Sequence, residues 1–154
     1  MANQIFNVSK GRINQFVENV EQDDPTGCEI VIVLLKTAEA DATLIDYDTL
    51  AALLAGSNTE ADFTNYARKV LTAPDMSRTV DDTANSQYST FVDQTWTAAG
   101  GTTDNTTAKL IVCYDPLGTG VDANLIPMSH HDFVGTTDGN DFGADFGTST
   151  VSAA

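Results

Sequence analysis

Glu29-Ile30-Val31-Ile32-Val33-Leu34-Leu35-Lys36 sets the architecture of the chain. The run is β-branched at its centre, too short for a typical helix, and apolar at successive positions rather than alternate ones. Successive side chains of a strand point to opposite faces, so this pattern predicts a central strand covered on both sides. A second run, Lys109-Leu110-Ile111-Val112-Cys113-Tyr114, reads as another buried strand. The chain needs further elements to cover both faces.

Before the first run, Ile13, Phe16, Val17 and Val20 fall at i, i+3, i+4 and i+7. That stripe predicts an amphipathic helix opened by Ser9 as N-cap and closed at Asp23-Asp24-Pro25. Lys10 and Arg12 in the first turn, with Glu18 and Glu21 in the last, oppose the helix dipole, so its stability must come from docking. After the run, Asp46 to Gly56 predicts a short helix. Asp46 or Asp48 is its cap, Leu50, Leu53 and Leu54 share its apolar face, and Gly56 is its left-handed stop.

Tyr66, Arg68 and Val70 alternate with Ala67, Lys69 and Leu71 as in an exposed strand. Asp81 to Ser86 reads as a polar loop. Val92, Gln94, Trp96 and Ala98 alternate with Phe91, Asp93, Thr95 and Thr97, a strand anchored by Trp96. The Gly100-Gly101 turn then suggests that this strand pairs antiparallel with Lys109–Tyr114. Leu125–Met128 and Asp132–Val134 are weaker strands, and Thr137–Asn140 is a turn. The expected architecture is α+β and mainly antiparallel, a small barrel or sandwich with an N-terminal amphipathic helix and one further short helix. Its parts are an N-terminal arm over residues 1–8, one domain over 9–147, and a frayed tail over 148–154.

The 154 residues carry 7 basic and 22 acidic side chains, a net charge of −15. Apolar content of 42% is enough for a core. The charge argues against nucleic acid or an anionic bilayer as the main partner, since like charges repel and no counterions are released. Beyond Arg78 the only basic residue is Lys109, against ten aspartates from Asp81 to Asp145. An acidic surface of this kind also suits a saline habitat, where salt screens self-repulsion. No basic segment followed by an apolar one opens the sequence, so no secretory signal is expected. The longest apolar run, Ile30 to Leu35, is far short of a membrane span of about 20 residues.

Catalytic signatures fail one by one. No phosphate-binding loop or nucleophile elbow is present, and Gly118-Thr119-Gly120, flanked by acids, reads as a turn. His130 and His131 are adjacent, so their side chains diverge, and they read as a loop pair with one ring hydrogen-bonded. Cys28 and Cys113 are far apart, and Cys113 reads as a buried free thiol. Asp138-Gly139-Asn140-Asp141 spaces oxygen ligands as calcium loops do. Phe142 occupies the next ligand position, however, and no Glu closes the loop. The expectation is no enzyme, no metal and no cofactor.

Five stretches carry a resemblance. They are Ile5-Phe6-Asn7-Val8 with Lys10-Gly11-Arg12, Ala40 to Ala55, Arg68-Lys69, Thr95-Trp96-Thr97-Ala98-Ala99, and Leu110 to Asp115. Together, over most of Ile5 to Asp141, they resemble small virion-associated proteins of tailed bacteriophages. The resemblance implies a head decoration (cement) protein on the capsid exterior, made in the host cytoplasm. Its implied partners are the major capsid protein and its own copies, with a homotrimer expected. It carries over no catalytic residue. A free arm would have little reason to carry apolar Ile5 and Phe6, so these two, together with Arg12, are the expected contact residues by which the arm docks on a neighbouring subunit or the shell. The alternatives are a tail- or fibre-associated module recognising a host surface glycan, or a head–tail connector component.

Overall fold

The computed structural model describes residues 4–83 and 86–146. The chain is mixed α+β with mostly antiparallel sheets, built on strand β2 (Glu29–Thr37). Ile30, Ile32 and Leu34 face one side and Val31, Val33 and Leu35 the other, all at most 2% exposed. Each fully buried side chain of this size contributes about 1.5–3 kcal/mol, so this strand dominates the core. On one flank β2 pairs antiparallel with β8 (Lys109–Asp115), from Glu29↔Asp115 to Leu35↔Lys109. Next come β9 (Ile126–Asp132) and, at the edge, β1 (Gln4–Ile5). On the other flank lie β3 (Thr59–Glu60) and β4 (Lys69–Leu71). The path from β1 to β3 does not close, so the expected barrel or sandwich takes the form of an open sheet covered on both faces.

Helix α1 (Ile13–Gln22) covers the first face with its predicted stripe, Ile13, Phe16, Val17 and Val20, all buried. Phe16 stacks on Tyr114 of β8 at 4.5 Å. The helix starts later than Ser9, which is not its cap. The Ser9 hydroxyl donates instead to Pro127 O at 2.6 Å, in a 3-10 turn over Asn7–Ser9. Lys10 and Arg12 therefore precede the helix. Its C-terminus stops at Asp23 in the left-handed region (φ 53°), as the Asp-Asp-Pro sequence predicts. The dipole mismatch is offset from outside: Arg78 on β5 (Met76–Asp81) reaches Glu18 and Glu21, each at 3.1 Å.

The second face is covered by α2 (Asp41–Leu44) and α3 (Leu50–Ala55). Leu44, Leu50, Leu53, Leu125 and Phe6 pack there on Val31, Val33 and Ile111. Thr49, rather than Asp46 or Asp48, caps α3 by accepting from Ala52 N–H. Gly56 is extended (φ −76°) and not a left-handed stop.

β5 forms a hairpin with β6 (Ser86–Phe91), so Asp81 and Ser86 of the expected polar loop end strands instead. Strand β7 (Gln94–Trp96) pairs with β10 (Phe142–Ala144) and not with β8. The turn at Gly100 leads back to Thr64, where Gly100 N–H donates to Thr64 O and Thr103 N–H to Thr64 Oγ1, and this directs the chain away from a hairpin. The β7–β10 ribbon lays Trp96 against the first face, and Trp96 Nε1 donates to Ala67 O at 2.7 Å. The two weaker strands expected around 125–134 are one strand, β9, in which a bulge beside Pro127 removes the need for its missing N–H. The strand expected over 66–71 is shorter, and its Val70 is half-exposed at the edge. The expected tail lies outside the described residues.

Candidate functional site

Lys109 opens β8, directly opposite Asp132 on β9. A four-carbon stem in an apolar strand end brings its ammonium under α2, whose first residue is Asp41. Nζ lies 2.6 Å from Asp41 Oδ1 and is hydrogen-bonded to Asp132 Oδ1. The Lys109 side chain is 9% exposed and each carboxylate 29%. Burial alone pulls the ammonium's pKa down; the bonds to Asp132 and Asp41 outweigh it and hold the pKa raised. Lys109 is therefore an anchored cation at neutral pH.

His130 lies on the same face of β9, opposite Ile111, and is wholly buried. Its ring meets the Phe6 ring edge-on, centroids 5.7 Å apart, and neither ring nitrogen has a hydrogen-bond partner. Burial, with Lys109 adding to it, lowers its pKa against the opposing pull of Asp41 and Asp132. His131 points to the opposite face, its Nε2 3.0 Å from Ser129 Oγ, and burial lowers its pKa too. The two rings diverge as the sequence predicts, but they sit on a strand rather than in a loop.

A second ionic group clasps the other edge of that face. Arg68 binds Glu60 through Nε and Nη2, at 2.8 and 2.6 Å, and Asp122 through Nη1 at 2.5 Å. Tyr66 Oη donates to Glu60 at 2.8 Å and accepts Leu34 N–H at 3.1 Å. The bonds to Glu60, then to Asp122, raise the pKa of an already permanent cation. Beneath this face, burial pushes the Cys113 thiol up, so it is an inert free thiol; Cys28 is also buried and free.

The Gly118-Thr119-Gly120 turn is held by Asp115, which is wholly buried and accepts from Leu117, Thr119 and Gly120 N–H at 2.7–2.9 Å. The chain's own carboxylate thus fills the donor nest that an anion would otherwise use. Gly118 is required here: its φ is +58° and a Cβ would sit 2.0 Å from Gly27 O. In the loop spaced like a calcium site, Asp138 accepts from Asn140 N–H and Asp141 from Ala98 N–H. Among the described residues no group of three His, Cys, Asp or Glu is placed to hold a metal ion. No helix among them is long and apolar enough to cross a membrane.

Phe6, one of the three expected contact residues, is 0% exposed and packs in the core of its own chain instead of reaching a neighbour. Its N–H donates to Met128 O, and Asn7 N–H to Ile45 O. Ile5 is exposed on the edge strand, and Arg12 lies exposed with its guanidinium 4.7 Å over the Phe16 ring, on the other face. The three are not brought together. Sequence reasoning missed the Lys109 and Arg68 clusters. The signal was present for one of them: a lone cation opening an apolar strand needs carboxylates from elsewhere in the fold.

A scan of protein-family models and searches of curated proteins and of solved structures find no match for this chain.

Proposed function

We propose that the chain is a non-enzymatic structural component of a tailed-bacteriophage particle, a decoration (cement) protein on the exterior of the head shell. It binds the major capsid protein and its own copies, as a homotrimer. The observation that carries this reading is the way the acidic side chains divide. Asp115, Glu60, Asp122, Asp41 and Asp132 tie loops, strands and helix ends to one another. Asp24, Asp46, Asp48, Asp62, Asp93, Asp104, Asp138 and Asp145 lie on the surface, where those that bond, such as Asp62 to Lys36 and Asp46 to Asn7, do so exposed to solvent. The first group makes the body stiff. The second gives it a hydrated negative skin that keeps it off packaged DNA and keeps particles apart. Ile5 and Arg12, both exposed, remain the contact residues proposed toward a neighbour.

Labelling intact particles with a gold-conjugated antibody to this chain, followed by imaging, tests the proposal. Label spread over the head is expected. Label confined to the tail, or none on particles, would overturn it, tail label favouring the glycan-binding or connector alternative.

A further inference from the structure

The buried ring of His130 is enclosed by one short segment. Gln4 of β1 pairs opposite His130 itself and Ile5 opposite Ser129. Phe6 then closes over the imidazole edge-on, and Asn7 and Ser9 fasten the segment to Ile45 O and Pro127 O. On the far side the ring faces the Lys109 group. The charged neighbours are Lys109 from β8, Asp41 from α2, and Asp132 from β9 itself, with His131 behind the sheet. Residues 4–9 and helix α3 carry no ionisable side chain toward it.

Both carboxylates already hold Lys109, and neither is within hydrogen-bond reach of the ring. A proton added to His130 in place would create a second buried cation beside the first, with no acceptor. That cost far exceeds opening an edge. The β8–β9 pairing runs from Lys109↔Asp132 to Tyr114↔Ile126, whereas β1 is two residues long. The least costly way to hydrate the ring is therefore to lift residues 4–9.

We propose that residues 4–9 form an acid-released strap: His130 keeps it closed while neutral, and protonation of His130 lifts β1 and Phe6 off the sheet, baring the outer edge of β9. The inference is independent of any role in a phage particle. The sign follows from linkage. The closed state binds the proton less readily than the open state, whose histidine titrates near its ordinary value of about 6.5, so closure is stable above that pH and weakens below it. The opening constant rises by up to about tenfold per pH unit below about 6.5.

Amide hydrogen exchange on the full chain from pH 7.5 to 5, read as protection factors, tests this. At the Phe6 and Asn7 amides, protection should fall by up to about tenfold per unit below about 6.5, while amides of Val31 to Leu35 hold theirs. The His130→Leu variant should show a flat profile at Phe6 and Asn7, and His131→Asn should retain the wild-type slope. Unchanged protection at Phe6 in the wild type would overturn the proposal, as would an equal loss in β2. A slope that survives in His130→Leu, or disappears in His131→Asn, would do the same. If His130→Leu does not fold, the wild-type contrast between Phe6 and Val31–Leu35 with the His131→Asn control decides the matter.

Discussion

The two faces of the central sheet are built from alternate residues of the same strands, yet they are held by different physics. Under α1 the contacts are aromatic: Phe16 on Tyr114, Phe63 against Tyr66 and Phe142, and Trp96 pinned by its indole N–H. Under α2 and α3 the centre is aliphatic, and its margins are ionic, with the Lys109 group at one end and the Arg68 group at the other. The ring contacts of the first face answer to shape. The second also answers to protons, because its packing ends in groups whose charge must be matched inside the fold. Two faces of one strand can therefore be tuned separately, since side-chain orientation alternates along it.

Trp96→Ala tests the shape-governed face and should have the largest effect. It should cost about 3–5 kcal/mol in guanidinium unfolding, by nearly the same amount at pH 7 and pH 5. A strong pH dependence of that loss would break the contrast. Lys109→Met tests the other face. Removing the cation leaves two carboxylates, each partly wetted, without it, so the expected loss is about 2 kcal/mol at pH 7. In the wild type, the raised Lys109 pKa contributes stability that is present below the unfolded value of about 10.4 and fades as pH climbs through the higher folded value. Alkaline unfolding should therefore be retained in the wild type and weakened in the variant.

Thr49→Ala removes the cap of α3 and should cost about 1 kcal/mol by the same unfolding measurement, with little pH dependence. The smallest effect expected is that of salt. Shortening the screening length from about 10 Å to about 3 Å relieves repulsion among the surface acids, so the thermal midpoint should rise modestly in 1 M salt as against 0.1 M. A flat response would mean that the skin of aspartates costs the fold nothing.

Where a segment's own periodicity set its structure, the sequence was readable. β2 and β8 could be read from unbroken apolar runs, α1 from its i, i+3, i+4, i+7 stripe, and α3 from its leucines. The β5–β6 hairpin escaped because Ser77, Ser89 and Thr90 blur the apolar alternation that marks a strand. The start of α1 was misjudged because the Ser9 hydroxyl bonds Pro127, far away in sequence, and local pattern holds no record of that partner. Pairing β7 with β8 followed from chain adjacency, which the side-chain bonds of the loop after Gly100 override. The ionic clusters gather Asp41, Lys109 and Asp132, or Glu60, Arg68 and Asp122, from three separate segments each. Residue types hinted at the need for them, and only the fold supplies the partners.

The proposed place on the head shell is checked by quantitative mass spectrometry of gradient-purified particles. A decoration protein should be present in fixed proportion to the major capsid protein. Its absence from particles, or its presence only at the copy number of a tail component, would rule that place out.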